Sequence, residues 1–219
     1  MGAMVRRGPA TREDILDAAQ WCYLHLGVTN ASTAVIAARA RCPRTVVVSY
    51  FPEPHQLLDE VLKRGRLSLV DDLQSVFDAQ MRVMPALRSA LQLCLNEVVH
   101  NDRVRAAQEI LAFHCDFFTT QRNLLEEQIV HFARVMGLLQ KIAIEAAKGG
   151  ELRDGVRPDA WALIIGLTLS GAIRLCVMQR TDDGRLACWS EATRALDEAF
   201  SFVAPGPRHR LAPSQRKNG

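Results

Sequence analysis

Apolar residues recur at helical spacing along almost the whole chain, and strand-like alternation is nearly absent. The segment from Thr11 to Leu26 shows this first, because its apolar positions follow the i, i+3, i+4, i+7 spacing of one helix face. Thr11 suits the N-cap of this helix, and Gly27 suits its C-terminal end. The chain has 219 residues and is 48% hydrophobic, so it can bury a sizeable core. These features predict an all-α fold.

Two short segments follow between residues 30 and 52. Ser32 suits the N-cap of a helix over 33–40, and residues 41–43 form a tight connection to a second segment over 44–51. Local propensity favours a strand there, because Val46, Val47 and Val48 are β-branched. Pro52 ends the segment, since proline cannot continue a helix.

Longer apolar repeats occupy the rest of the chain. The segment over 102–119 is apolar on most sides, so we expect it to be central. The segment over 158–180 is apolar almost all round and contains the small residues Gly166, Ser170 and Gly171, which permit close helix approach. The predicted helices are 55–80, 85–100, 102–119, 123–148, 158–180 and 186–203.

Basic side chains are concentrated toward the two ends of the chain. The formal net charge is only +3, which by itself says little about nucleic acid. The first 50 residues, however, carry more basic than acidic side chains: Arg6, Arg7, Arg12, Arg39, Arg41 and Arg44 against Glu13, Asp14 and Asp17. A basic N-terminal part is typical of a module that faces phosphate. Residues 204–219 hold three prolines, four basic side chains and no acid, which predicts a disordered basic tail.

The cysteines and the N-terminus indicate the compartment. The six cysteines form no C-x-x-C pair and occupy apolar positions of the helical patterns, where a free cysteine acts as a small hydrophobic side chain. We therefore expect reduced, buried thiols and a cytoplasmic protein. The first residues lack the apolar segment of a signal peptide. The longest apolar stretch, 160–173, stops at Arg174 and is predicted to be too short to span a membrane.

The order of elements in residues 11–65 is the most informative feature for function. One capped helix is followed by a very short helix, a tight turn, a second short helix and a proline break. This order is typical of a helix-turn-helix, here over about residues 32–51, inside a three-helix unit. A short, exposed second helix fits the major groove of DNA, with its N-terminal residues facing the base edges.

In this region the sequence resembles the TetR/AcrR (tetracycline-repressor) family of bacterial transcriptional regulators. The resemblance extends without a gap over about 55 residues and favours a helix over a strand at Val46 to Val48. The matching residues are Thr11-Arg12-Glu13-Asp14-Ile15-Leu16-Asp17-Ala18-Ala19, Gly27, Ile36-Ala37, Arg39-Ala40, Arg44, Tyr50-Phe51-Pro52, Leu57-Leu58 and Val61-Leu62.

The resemblance implies a division of the chain and a set of partners. It makes residues 10–65 the helix-turn-helix DNA-binding domain, residues 66–203 the ligand-binding and dimerisation domain, and residues 204–219 the tail. A homodimer of this kind binds a near-palindromic, double-stranded DNA operator. A mostly apolar small molecule in the second domain releases it. We therefore expect a ligand-responsive DNA-binding regulator, most simply a repressor, with no membrane partner.

Four positions depart from the family pattern. Arg41 replaces the usual turn glycine, Pro43 the usual serine, Val48 the tyrosine that meets phosphate, and Pro54 the lysine that meets phosphate. Each lost phosphate contact weakens the affinity for DNA without altering which base sequence the protein recognises. The alternative function is therefore a degenerate family member that acts as a ligand- or protein-binding dimer with weak DNA binding.

The resemblance and the residue chemistry together give three sets of site residues, and packed core or solvated surface is the alternative for each. Arg44 is the best choice for a base contact, because the guanidinium fork suits guanine. The DNA-facing set is Ser32, Thr33, Arg44, Thr45, Ser49, Tyr50, His55 and Arg12, with Arg6 and Arg7 as a flexible arm. The ligand-facing set is Leu95, Val98, Phe113, His114, Phe117, Phe132, Met136 and Trp161. The dimer seam is Trp161, Ile165, Leu169 and Trp189.

Catalysis and metal binding are not expected. The sequence has no G-x-S-x-G, H-E-x-x-H, P-loop or G-x-G-x-x-G pattern, and carboxylates such as Glu126 and Glu127 fit a solvated helix face. His114 beside Cys115 is a weak metal signal without further ligands at usable spacing. We expect no cofactor.

Overall fold

The computed structural model describes residues 10–79, 82–117, 121–179 and 181–205. Within these ranges the chain forms ten α-helices and no strand, which confirms the all-α prediction. The helices are α1 Arg12–Leu26, α2 Thr33–Ala40, α3 Arg44–Tyr50, α4 Pro54–Arg64, α5 Leu69–Asp78, α6 Val83–His100, α7 Asp102–Glu109, α8 Arg122–Lys148, α9 Pro158–Met178 and α10 Asp182–Val203. A single π-helical turn, Ile110–His114, follows α7. The predicted basic tail falls, from residue 206 onward, outside the described residues.

The predicted long helix over 55–80 is wrong, because the chain breaks into α4 and α5 at Gly65. The backbone of Gly65 lies directly against α7. A Cβ atom there would overlap the Arg103 carbonyl oxygen and lie 2.6 Å from the Ala107 Cβ. Ile, Leu or Lys at this position would push the two helices apart. The contact therefore requires glycine, and glycine weakens a helix.

The predicted helix over 102–119 is also shorter than expected. It is α-helical to Glu109, continues as the π-helical turn, and ends at Cys115, whose backbone is extended. The turn meets the loop after α1, where the Val28 N–H donates to the His114 carbonyl oxygen at 3.1 Å. Residues 118–120 lie outside the described residues. The π-helical turn thus ties the middle of the chain to its N-terminal helices.

The buried side chains form two separate hydrophobic clusters. The first belongs to α1–α4 and includes Ile15, Ile36, Val47 and Leu57, and it also takes in Ile110 from the π-helical turn. The second joins α5–α10 and runs from Leu67 to Val203. Helix α4 leads from the first cluster to the second. The chain therefore places a small helical unit on a larger helical bundle.

Helix α9 crosses the centre of the larger bundle and packs against α6, α7, α8 and α10. It is the one helix in the described part of the chain that is long and apolar enough to cross a membrane, with a mean hydropathy of 1.8. The helix is longer than the apolar stretch 160–173 of the sequence prediction, since it continues past Arg174 to Met178. Packing inside the subunit covers one apolar face of α9, and 44% of its most apolar 18-residue segment is buried.

The six cysteines are free thiols. Cys22, Cys94 and Cys176 are buried as predicted, whereas the other three are only partly buried. Burial, together with contact with Cys188 at an Sγ–Sγ distance of 3.5 Å, raises the pKa of Cys176 to about 12. These thiols remain protonated and act as packing groups.

Substituting Gly65 by alanine tests the close contact between α4 and α7. The added methyl group overlaps backbone that cannot move freely, so we expect a loss of about 2 kcal/mol or more in the free energy of unfolding. Gly137→Ala is the control, because a Cβ atom there meets nothing within 4 Å and alanine favours the helix. Urea denaturation of both variants measures the difference. Equal stability of the two variants would contradict the contact.

Candidate DNA-binding surface and ligand cavity

The turn between α2 and α3 keeps a tight geometry without glycine. Arg41 adopts the left-handed conformation with φ 56° and ψ 40°, and it is the only non-glycine residue of positive φ in the described chain. Its N–H donates to the carbonyl oxygens of Ala37 and Ala38, and the Cys42 N–H donates to Ala37 at 3.0 Å. A left-handed non-glycine residue costs roughly 1–2 kcal/mol. The chain therefore accepts this strain at Arg41 and keeps the tight turn.

Helix α3 is anchored on its inner side and open on its outer side. Val47 is fully buried and Phe51 is 5% exposed, so they fasten the helix to α1 and α2. The three consecutive valines are helical, as the resemblance implied, because tertiary packing outweighs their strand propensity. Pro43 precedes the helix and gives it no side-chain cap. The outer side of α3 therefore carries no packing role.

The DNA-facing residues of the sequence prediction fall into two groups. Those with free polar groups at the surface are Arg44, Thr45, Tyr50 and His55, all exposed. No ion pair to Arg44 is found in the described residues. The other group is already engaged within the subunit: Ser32 caps α2 by accepting from the Val35 N–H, and Ser49 donates to the Val46 carbonyl oxygen. Thr33 is half-buried.

Arg12 is engaged as well, since it links α1 to α4. Its guanidinium donates to Glu60 at 2.5 Å and lies 5.2 Å from the centre of the Phe51 ring. The Arg12 guanidinium lowers the pKa of Glu60, chiefly through this hydrogen bond. The guanidinium of Arg12 thus holds α4 to α1, and it is already engaged within the subunit at the position where a DNA contact was predicted. Arg6 and Arg7 lie outside the described residues.

A second ion-pair group holds the C-terminal end of α4 to α1. Arg64 has a side chain only 10% exposed, and it contacts Asp17 at 2.6 Å and Glu13 at 3.2 Å. Arg103 from α7 lies 3.7 Å from the same Glu13 carboxylate. The ends of α1, α4 and α7 are thus joined through shared carboxylates.

A cavity of about 850 Å³ lies between the end of α4, the π-helical turn, α8 and α9. Phe117 and Phe132 line it, as the sequence predicted. Six predicted ligand residues do not line it: Leu95, Val98 and Trp161 are buried in the core, while Phe113, His114 and Met136 lie outside the lining. The prediction took the location of the pocket from the resemblance and chose mostly apolar side chains for it, and the apolar pattern is the same for core and cavity wall.

The cavity has an apolar interior and a charged mouth. Buried side chains such as Leu124, Val135 and Leu169 form the interior. The lining side chains that carry charge or titrate are Asp59, Lys63, Arg66, Glu127, His131 and Arg174, and of these only His131 is partly buried. Sequence analysis missed this set. Arg66 follows the unexpected helix break, and the polar positions of α8 look like an ordinary solvated face.

His114 lies apart from the cavity and beside a buried acid. Its Nε2 is 3.7 Å from Glu109 Oε1, and Glu109 is 8% exposed. Among the described residues, no three His, Cys, Asp or Glu side chains are grouped so as to hold a metal ion. His114 and Cys115 therefore have no third ligand within the described part of the chain.

The predicted dimer seam is on the wrong face of α9. Trp161, Ile165 and Leu169 are at most 2% exposed inside their own subunit, so they have no surface for a partner, and Leu169 lines the cavity instead. Trp189 on α10 is half-buried. The exposed side of α9 carries a second apolar stripe: Leu163, Ile164, Leu167, Leu175 and Met178. An all-round apolar helix gave no sign of which face was internal.

Comparison with solved structures identifies the fold. The chain superposes on the SmeT–triclosan complex with a TM-score of 0.74 at 24% identity, over 96% of this chain and 98% of that one. SmeT is described as the repressor of the Stenotrophomonas maltophilia multidrug efflux pump SmeDEF. The chain therefore shares the all-α fold of SmeT.

Two Pseudomonas aeruginosa proteins also superpose on this chain. NalD, a secondary repressor of the MexAB-OprM multidrug efflux pump, gives a TM-score of 0.71 at 21% identity, over 88% of this chain and 95% of that one. MexZ, a repressor responsible for antibiotic resistance, gives a TM-score of 0.70 at 19% identity, over 92% of this chain and 98% of that one. No protein-family model matches the sequence, and no curated protein matches it.

Substituting Arg41 by glycine tests the strained turn. Glycine adopts the left-handed conformation without strain, so we expect the variant to gain about 0.5–1 kcal/mol in the free energy of unfolding. Ala38→Gly, at an exposed position inside α2, is the control and should lose about 1 kcal/mol. Thermal denaturation monitored by circular dichroism compares them. A loss of stability in both variants would show that Arg41 is not strained.

Proposed function

We propose that the protein is a homodimeric transcriptional repressor of the cytoplasm, released from its operator by a small molecule in the cavity. The observation that carries this proposal is the outer side of α3. It exposes Arg44 and Thr45 on a helix held entirely from its inner side, so these side chains are free to meet DNA. The repressor role is carried over from SmeT, NalD and MexZ, which share the fold.

The DNA-binding geometry follows from a short exposed helix. The N-terminal end of α3 enters the major groove, where the guanidinium of Arg44 donates to a guanine edge. Two subunits present their α3 helices about 34–36 Å apart, on successive grooves of a near-palindromic operator. Thr45 and Tyr50 add contacts beside Arg44, and His55 reaches the backbone from the start of α4.

Helix α4 supplies the link between ligand and DNA. Its residues Leu57, Leu58 and Val61 are buried in the core of the small unit, while Leu62 and Lys63 line the cavity. A ligand that displaces the end of α4 therefore displaces the small unit as well. For the ligand to release the protein from DNA, it must bind more tightly to a state whose α3 spacing does not fit the operator than to the DNA-bound state.

The same geometry favours DNA binding over the alternative of a dimer with a decayed DNA-binding helix. That alternative rested on four substitutions. Arg41 still forms the tight turn, and α3 is intact despite Pro43 and Val48. Pro54 serves as the first residue of α4, where proline is well tolerated. The substitutions remove phosphate contacts but leave the scaffold that presents Arg44. Neither the sequence patterns nor the fold points to an enzyme.

Replacing Arg44 by alanine tests the DNA contact. We expect the variant to bind the intergenic DNA beside its own gene at least roughly tenfold more weakly than the parent, because a bidentate guanine contact contributes about 1–3 kcal/mol. Fluorescence anisotropy at two salt concentrations measures this, and the parent's affinity should fall steeply with salt. Arg157→Ala, at an exposed arginine far from α3, is the control. Equal affinity of the two variants would rule out Arg44 as a DNA contact.

The exposed apolar stripe on α9 is the surface we propose for the homodimer. Leu167 is 57% exposed and Ile164 is 53% exposed, and they lie one turn apart on the same side of the helix. Gly171 continues this side and leaves open space above its backbone, since a Cβ atom there meets nothing within 4 Å. A helix of the partner subunit packs closely on such a surface.

Replacing Leu167 by glutamate tests this surface. A charge buried in an apolar interface without a partner is strongly unfavourable, so we expect the variant to be monomeric at concentrations where the parent is dimeric. Leu93→Glu on α6 is the control, because Leu93 is 62% exposed but lies outside the stripe. Sedimentation velocity distinguishes the two states. A dimeric Leu167→Glu variant would place the interface elsewhere.

A further inference from the structure

We infer that the cavity binds an amphiphile with one anionic head group, held at the mouth by Arg66 and His131. This inference rests on the proposed ligand-responsive function and gives the chemical class of the ligand. The apolar body of the ligand lies over Leu124, Phe132 and Leu169, which belong to the interior and wall of the cavity.

The distribution of polarity within the cavity requires a ligand with two unlike ends. The buried lining, such as Leu67, Leu69, Val135 and Val177, carries no charge. All the ionised lining groups are exposed and therefore lie at the opening. A small, wholly polar ligand would leave the interior of the 850 Å³ cavity unfilled, and a wholly apolar one would leave the mouth without a partner.

The charges at the mouth are not evenly balanced within the subunit. Lys63 has a nearby acid, since its Nζ lies 3.6 Å from Glu60 Oε1. No ion pair to Arg66 or Arg174 is found in the described residues, and Arg174 instead lies 4.5 Å from the centre of the Phe113 ring. Of the two mouth carboxylates, Asp59 lies one turn before Lys63 on α4, and no ion pair between Asp59 and Arg66 is found in the described residues. Arg66 is thus the cation with a free guanidinium.

The surroundings of His131 identify where the anionic group sits. Burial lowers the pKa of His131, and the positive charges of Arg66 and then Arg134 lower it further. Arg66 and His131 line the same cavity, and in the described part of the chain neither forms an ion pair with Glu127, which lies one turn earlier on α8. The corner between Arg66 and His131 is therefore electropositive, partly desolvated and without a counter-ion.

The donors at this corner suit a carboxylate or a similar oxyanion. The guanidinium of Arg66 presents a planar fork that matches two oxygens, and the neutral His131 ring can donate one N–H. Charge-assisted hydrogen bonds of this kind are about twice as strong as neutral ones. An ammonium head would meet like charge at the same place, and a hydroxyl would gain only a neutral hydrogen bond.

Three amphiphiles of equal chain length test the inference: decanoate, decanol and decyltrimethylammonium. Each is titrated against the full-length protein loaded with Nile red, a neutral fluorescent probe, in the absence of DNA. We expect decanoate to displace the probe at concentrations roughly tenfold lower than decanol, in line with a charge-assisted contact. Decyltrimethylammonium should be the weakest of the three.

The variant Arg66→Gln removes the charge and keeps a polar side chain, whose aliphatic stem is one methylene group shorter. It should weaken the binding of decanoate roughly tenfold and change the binding of decanol by no more than about twofold. The control Arg157→Gln should change the binding of neither. The inference is overturned if decyltrimethylammonium competes as well as decanoate, if Arg66→Gln weakens decanoate and decanol alike, or if none of the three displaces the probe.

A separate measurement keeps this outcome apart from the proposed function. DNA binding by the ligand-free protein does not depend on which amphiphile the cavity prefers. Loss of anion preference with intact DNA binding would overturn the ligand class alone. Anion preference in a protein that does not bind DNA would overturn the regulator proposal alone.

Discussion

The close contact between Gly65 and α7 determines how the two parts of this protein are joined. Because the backbone of Gly65 touches Arg103 and Ala107, helix α4 must end there, and the chain must turn before α5 begins. The ion pairs of Arg64 with Asp17 and Glu13 hold the same end of α4 to α1. A single helix end is thus fixed to the small helical unit on one side and to the larger bundle on the other.

The position of this helix end also accounts for the cavity. Leu62 and Lys63 form its wall at the end of α4, and Arg66 reaches its mouth because the helix ends two residues earlier, at Arg64. A continuous helix over 55–80 would carry these side chains in other directions. The contact that joins the two units therefore also places the segment of α4 that lines the cavity. Under the proposed function, ligand binding and DNA binding depend on this same short segment.

The sequence predicted the fold well and the sites unevenly, for physical reasons that differ by element. Caps, glycines and helical periodicity specify local structure, so α1, α2, α6 and α8 lie close to their predicted bounds. The break at Gly65 depends on a neighbour about forty residues away and has no local signal. Helix α9 is apolar on both faces, so composition alone chose the wrong face for Leu169. Phe117 and Phe132 were found, but Arg66 and His131 needed the assembled cavity.

The most direct test of the account is the affinity for DNA in the presence of a ligand that occupies the cavity. The dissociation constant of the protein–DNA complex is measured without decanoate and at a concentration that fully displaces Nile red. We expect an at least roughly tenfold weaker DNA complex at saturation, since coupling between sites typically changes affinity by about 5–150-fold. An unchanged dissociation constant at proven saturation would contradict the claim that α4 links the cavity to the DNA-binding helix.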